Sequence, residues 1–249
     1  MTEKKPDMMT KKPDAPAVPA HHADPGLRGA DTWIFDLDNT LYPAACNLFQ
    51  QVDHRMGGYI SQLLDIAYEE ARALQKGYFR QYGTTLRGLM EHHGADPHAF
   101  LAFVHDIDYS PIPADAALGE ALDRLPGRKL IFTNGTVAHA EAVLDRLGIA
   151  NRFDGIFDIV AADFVPKPNA EPYHRMVADH EVSADRAVMV EDIAQNLIVP
   201  AELGMRTVWV RTDHEWSHGG VGNEHVHHEV EDLTDWLTGY VEALERDKA

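Results

Sequence analysis

The sequence predicts an α/β fold, a doubly wound parallel sheet interrupted by an all-helical insertion, and three observations carry that expectation. Short runs of consecutive apolar residues each end on polar groups, amphipathic segments of helical period separate these runs, and residues 43–113 show helical period with no strand-like run. A run that is apolar at every position suits a strand covered on both faces, as in a parallel sheet.

Trp33-Ile34-Phe35 is the first such run and ends at Asp36. Residues 129–132 run into Thr133-Asn134-Gly135, 155–160 into 161–163, and 187–190 into Glu191-Asp192, while 206–210 extend the sheet. Helical spacing fills 138–147, with Gly148 as its C-cap, and 170–180. In doubly wound sheets, ligands lie beyond the carboxyl ends of the strands. Asp36, Asp38, Thr133, Asn134, Glu191 and Asp192 therefore converge on one crevice.

The insertion, with helices over 48–64, 68–82 and 97–105, leaves the chain directly after the first strand and so hangs over that crevice as a lid. The expected organisation is a catalytic core of residues 30–42 and 114–249, a helical cap of 43–113, and a disordered leader of 1–29 rich in Pro, Lys, Asp and Ala. Residues 213–229 read as a Gly-rich, acidic loop before a last helix over 234–244. The loop histidines, His214, His218, His225, His227 and His228, lack helical ligand spacing and read as solvated groups outside the active site.

Bulk properties narrow the partners. The 249-residue chain is 45% hydrophobic, enough for one core and a smaller second domain, and its formal net charge of -18 repels polymeric nucleic acid and anionic membrane surfaces. A small anion is not excluded, since a few fixed donors and a bound cation outweigh a diffuse field at contact range. The single cysteine, Cys46, excludes an intrachain disulfide and fits a reducing compartment. No apolar run approaches the roughly 20 residues of a membrane span, so the expected location is cytoplasmic, as a monomer or homodimer.

Asp36-Leu37-Asp38-Asn39-Thr40 places two carboxylates two residues apart at a strand end, where one can attack phosphorus while the other moves a proton. A carboxylate attacks a dianionic phosphate poorly unless a cation offsets the charge, which calls for a hard divalent ion on oxygen ligands; Glu191 and Asp192 supply further acids, and Mg2+ suits the set. Thr133 and Asn134 can donate to phosphoryl oxygens, and the Lys167 ammonium, in Val165-Pro166-Lys167-Pro168, can offset charge on nucleophile and substrate.

Taken in order, Asp36-Leu37-Asp38-Asn39-Thr40, Thr133-Asn134-Gly135, Lys167 and Glu191-Asp192 resemble the four motifs of the haloacid dehalogenase superfamily. The resemblance implies that Asp36 forms an aspartyl-phosphate and that Asp38 is the general acid and then the base, its backbone carbonyl a metal ligand. It implies Thr133 and Lys167 as phosphate and charge stabilisers, Asp36 and Asp192 as metal ligands, and Glu191 as a ligand directly or through water. Thr40 and Gly135 join the phosphate-side candidates. Asn196 stands where many members carry an acid and can order a metal-bound water.

The surroundings of the first motif, Trp33 to Pro43, together with Tyr82-Gly83-Thr84-Thr85-Leu86-Arg87-Gly88-Leu89, resemble the pyrimidine 5'-nucleotidase branch, which implies a nucleoside monophosphate such as UMP or CMP as substrate. On that reading Tyr82, Thr85 and Arg87 face the crevice and touch base, ribose or phosphate. Dehalogenation needs neither the metal nor the acid at Asp38, which favours phosphoryl transfer. Another phosphometabolite, such as phosphoglycolate or a sugar phosphate, and a non-catalytic binding protein remain as alternatives.

Overall fold

The computed structural model describes residues 24–213, 215–219 and 223–248. Six strands form one sheet: β1 (Thr32–Phe35), β2 (Arg128–Phe132), β3 (Gly155–Phe157), β4 (Ala187–Glu191), β5 (Arg206–Val210) and β6 (His228–Val230), in the spatial order β3-β2-β1-β4-β5-β6 and parallel at every pairing. The order runs outward from β1 in both directions, so the chain reverses its winding between β1 and β4. That point opens a crevice at the carboxyl ends of the strands.

Register fixes what meets there. Phe35 pairs with Ile131 on one side and with Val190 on the other, and the Asp36 N–H continues the ladder by donating to the Val190 carbonyl at 2.8 Å. The next residue on each strand is Asp36, Phe132 or Glu191, which brings Asp36 and Glu191 side by side.

Both faces of the sheet are covered, which explains the unbroken apolar runs. Trp33, Phe35, Val188 and Val190 point into one core, closed by α6 (Ala116–Arg124), α7 (Val137–Leu147) and α10 (Leu233–Arg246). Ile34, Leu130, Phe132 and Met189 point into the other, with Tyr173 and Met176 of α8 (Ala170–Asp179) and Val199 of α9 (Ile198–Glu202). Fully burying one such side chain contributes about 1.5–3 kcal/mol, and Trp33 adds ring contacts to Trp236 at 6.3 Å and Tyr240 at 5.5 Å.

The segment between β1 and α6 is helical among the described residues: α2 (Leu48–Leu64), α3 (Tyr68–Tyr82), α4 (Thr85–His93) and α5 (Pro97–Val104) share an apolar cluster of their own. The cluster also takes in Ile159, with Phe164 packed against it, and His98 meets the Phe164 ring at 5.2 Å. Thus the helical segment rests on the loop that follows β3, the same loop that leads to Lys167. No helix among the described residues is long and apolar enough to cross a membrane.

Four expectations are corrected. Part of the leader is ordered: Asp24 caps the short helix α1 (Pro25–Arg28), and Leu27 is buried in the first core; residues 1–23 lie outside the described residues. The third strand stops at Phe157, because the Asp158 carboxylate turns to accept from the N–H groups of Val137 and Ala161. The stretch read as a loop contains β6, held to β5 by ladder bonds. Its histidines make hydrogen bonds, and only His228 among them is buried, while His218 and His227 stay exposed as expected: His225 Nε2 lies 3.0 Å from the Ala194 carbonyl, His227 Nδ1 lies 2.7 Å from the Thr207 hydroxyl, His228 Nε2 lies 2.9 Å from Asp24 Oδ2, and His218 Nε2 lies 2.7 Å from the Thr212 carbonyl. His214 is outside the described residues.

Gly127, at the entry to β2, has φ of 91°, and a Cβ there would sit 2.5 Å from the backbone oxygen of Asp31. Backbone cannot move aside as a flexible side chain would. Gly127→Ala should lower the unfolding free energy by about 1–3 kcal/mol, read as a lower midpoint in urea; an unchanged midpoint would show that the β1–β2 entry tolerates the side chain.

Candidate active site

Asp36 is almost wholly buried at the end of β1, and two groups hold its carboxylate in place. Lys167 Nζ donates to Oδ1 at 2.7 Å, and the Thr40 hydroxyl, one turn on, donates to Oδ2 at 2.9 Å. Between them Asn39 takes a left-handed conformation, φ 60°, which turns the chain tightly enough to bring Thr40 back over Asp36. The same ammonium donates to Glu191 Oε2 at 2.6 Å and to the Phe132 carbonyl at 2.9 Å, so all three of its protons are used.

Lys167 is itself positioned through its backbone. Asn134 Oδ1 accepts from the Lys167 N–H at 2.9 Å, and Asn134 Nδ2 donates to the Lys167 carbonyl at 3.3 Å. The side-chain amide expected to meet phosphate is therefore a clasp between the β2 loop and the Lys167 loop. Thr133 remains suited to phosphate, since its Oγ1 accepts the Gly135 N–H at 2.9 Å and keeps its own proton to donate.

Ligand oxygens of Asp36, Glu191 and Asp192 lie within 4.8 Å of one another, all three buried. Three carboxylates against one ammonium leave a formal charge of -2, and Asp192 Oδ2 is buried with no hydrogen-bond partner. An orphaned acid oxygen beside two more acids is a poor arrangement by itself and a good one around a hard divalent cation. The residues present fit Mg2+. Asp192 is further fixed at its backbone, whose carbonyl accepts from Trp209 Nε1 at 2.8 Å.

The charge balance shows in proton affinities. Burial, followed by the Glu191 charge, raises the Asp36 pKa to about 7 despite the opposing pull of Lys167. Burial and the charges of Glu191 and Asp36 push Asp192 well above the carboxylate range. Burial lowers the proton affinity of Lys167, but Asp36 and Glu191 more than offset it, and the pKa rises.

Asp38 differs. Burial raises its pKa, yet His139 and Tyr42 outweigh that and hold it at about 2. The Tyr42 hydroxyl donates to Asp38 Oδ1 at 2.6 Å, and His139 Nε2 lies 2.8 Å from the same oxygen. The side chain keeps 24% of its surface exposed. Neither Tyr42 nor His139 is marked by the four motifs. Their only local signal is spacing, Tyr42 four residues after Asp38 and His139 four residues after Gly135.

Of the residues expected from the lid, Thr85 is misplaced: it is buried inside the helical segment, its hydroxyl donating to the Gln75 carbonyl at 3.4 Å, because its position in the first turn of α4 faces α3. The Tyr82 hydroxyl is engaged by His92 and Gln81, and Arg87 is exposed at the surface of α4. None of the three shares a hydrogen bond with the Asp36 cluster. Asn196 is buried close by, and its carbonyl accepts from the Tyr173 hydroxyl at 2.7 Å.

Comparison with known proteins agrees with this architecture. Phosphate metabolism protein 8 of Saccharomyces cerevisiae is 27% identical over 210 residues, covering 77% of this chain; the chain spans 63% of the length of that relative. Among solved structures, CbbY from Rhodobacter sphaeroides in complex with phosphate matches with a TM-score of 0.57 at 19% identity, covering 85% of this chain and 99% of that one. The HAD-hydrolase YfnB from Bacillus subtilis, bound to magnesium, matches at 0.55 and 15% identity over 83% and 96%. L-2-haloacid dehalogenase from Xanthobacter autotrophicus matches at 0.51 and 14% identity over 84% and 97%, so the shared fold serves more than one reaction. The family model for haloacid dehalogenase-like hydrolases matches residues 30–204, a span that holds every residue of the acid cluster, and the chain belongs to that family of hydrolases.

Proposed function

We propose that the chain is a Mg2+-dependent phosphomonoesterase that works through an aspartyl-phosphate on Asp36 and takes pyrimidine nucleoside 5'-monophosphates, UMP or CMP, as substrates. The observation that carries the reading is the pairing of a cation-held nucleophile, Asp36, with a second carboxylate two residues on, Asp38, held by separate donors. Phosphoryl transfer needs both, whereas displacement of halide needs only the first. The nucleotide assignment is supported by the motif surroundings, Trp33 to Pro43 and Tyr82 to Leu89.

In this mechanism an Asp36 oxygen attacks phosphorus in line, the P–O bond to the ribose 5'-oxygen breaks, and Asp38 gives that oxygen its proton. Water then attacks the aspartyl-phosphate, Asp38 takes its proton, and phosphate leaves with Asp36 regenerated. Approach of the dianionic phosphoryl group raises the proton affinity of Asp38, so the carboxyl that rests ionised becomes a donor when substrate is bound. Lys167 and Thr40 keep the attacking carboxylate in one orientation, and the Thr133 hydroxyl donates to a phosphoryl oxygen. Asp36, Glu191, Asp192 and the Asp38 backbone carbonyl would hold the Mg2+, whose charge would offset that shared by nucleophile and phosphate. The helical segment, resting on the Lys167 loop, serves as the cap that excludes bulk water.

Phosphate release from UMP, CMP, purine monophosphates, phosphoglycolate and sugar phosphates, with Mg2+ and with a chelator, tests the reading. Mg2+-dependent preference for UMP or CMP is expected. Preference for another ester would keep the mechanism and replace the substrate, while release from none of them would leave a binding protein. Asp36→Asn should reduce turnover by at least about 1,000-fold with an unchanged circular dichroism spectrum; wild-type-like turnover would sink the mechanism.

Metal binding has its own signature in stability. Mg2+ at about 100 times its dissociation constant should stabilise the fold by about 2.7 kcal/mol, roughly 5–10 °C in Tm for a chain of this size. Because the folded-state proton affinity of Asp36 is raised to about 7, protons compete with the cation below that pH, so the increment should be larger at pH 8 than at pH 5.5. Asp192→Asn should raise Tm without Mg2+, by relieving repulsion, and lose most of the increment. An increment equal at both pH values would refute this account of the acid cluster.

A further inference from the structure

The feature the mechanism does not yet use is the group of aromatic and imidazole rings behind Asp38. His139, on the first turn of α7, is 1% exposed, with Nε2 2.8 Å from Asp38 Oδ1 and Nδ1 3.0 Å from the Tyr109 hydroxyl, which also donates to the His105 carbonyl at 3.0 Å. The His105 ring stacks on it at 4.4 Å between centroids. Gly135 also approaches it closely: a Cβ there would come within 2.9 Å of His139 Cδ2. The helix that carries the ring is fixed at its start by Thr136, which accepts from the His139 N–H at 3.2 Å, and by Asp158, which accepts from the Val137 N–H at 3.0 Å. Translation and rotation of the imidazole are therefore blocked on several sides.

Both donors to Asp38, His139 and the Tyr42 hydroxyl, converge on Oδ1, and no donor among the described residues takes Oδ2. A carboxylate anchored by two hydrogen bonds on one oxygen has its other oxygen aimed by geometry alone. We infer that His139 is a positioning residue: with Tyr42 it pins Asp38 Oδ1 so that Oδ2 is the atom that gives the proton to the leaving alkoxide and takes it back from water. This rests on the phosphomonoesterase reading above. In the first step the bond from Asp36 to phosphorus forms, the ester P–O bond breaks, and the proton passes from Asp38 Oδ2 to the departing oxygen. In the second the bond from water to phosphorus forms, the bond to Asp36 breaks, and Oδ2 recovers a proton from that water.

Glycine at 135 then has a definite purpose, as room for the imidazole, and the pair Gly135 and His139, four residues apart, forms a single device. The expectation that Gly135 serves phosphate directly is not needed to explain it.

An aim-dependent proton transfer has a readout that a loss of packing does not share. An alkyl phosphate needs its leaving oxygen protonated, whereas p-nitrophenyl phosphate releases a stable phenolate without that help. His139→Ala should lower kcat/KM for the alkyl ester by about 10- to 100-fold, part of the usual general-acid contribution, and for the aryl ester by less than about 3-fold. Acid-quenched aspartyl-phosphate should accumulate with the aryl ester, because the second step lacks its aimed base. His139→Gln, whose Nε2 reaches a similar place, should recover most of the loss. If His139→Ala does not fold, Tyr109→Phe keeps the imidazole and removes one restraint, and it should show the same selectivity to a smaller degree. Equal losses on both esters, with Gln no better than Ala, or no selectivity in Tyr109→Phe, would overturn the inference alone. Wild-type protein that releases phosphate from neither ester would overturn the phosphomonoesterase reading and this inference with it.

Discussion

A single buried ammonium holds the centre of this protein together. Parallel pairing and the β1–β4 register force Asp36 and Glu191 next to each other at the strand ends, and Asp192 follows at once. Left to themselves these acids would repel in a poorly solvated pocket, where an unpaired charge costs several kcal/mol. Lys167 meets the two that face it and also the carbonyl of Phe132, so one side chain joins β1, β2 and β4 at their reactive ends. Its own backbone is clasped by Asn134. The neutralisation is partial: enough to let the acids fold together, and still leaving a formal charge of -2 that suits the proposed divalent ion.

Legibility in the sequence followed the range of the interaction. Strands apolar at every position announced a doubly covered sheet, and the helices Leu48–Leu64 and Tyr68–Tyr82 had the boundaries their periodicity implied. Three of the four motifs marked the acid cluster because each follows a strand, so topology alone brings them together, while Lys167 reaches it from the loop after β3. β6 escaped notice because its three residues, His228, Glu229 and Val230, carry almost no strand signal and are recruited by the edge of β5. Thr85 was misjudged because its neighbours in the chain do not reveal which face of α4 meets α3.

His139 is the instructive omission. It lies 101 positions from Asp38, and its spacing from Gly135 is the only local mark that separates it from any other histidine in an amphipathic helix. Its role depends on α7 starting where it does, and that start is set by Asp158 from another strand end. Asp36, Asp38 and Lys167 fell in recognisable motifs; His139 and Tyr42, which hold Asp38 in place, did not, because such holding is a property of tertiary packing.

The loop after β3 has two loads to carry. Ile159 and Phe164 are built into the apolar cluster of the helical segment, and a few residues later the same loop delivers Lys167 to Asp36. Any movement of the helices away from Ile159 and Phe164 must strain the tether of the ammonium as well, so the packing of the helical segment and the charge around Asp36 are mechanically linked. One stretch of chain answers both to the apolar packing of the helices and to the charge of the acid cluster.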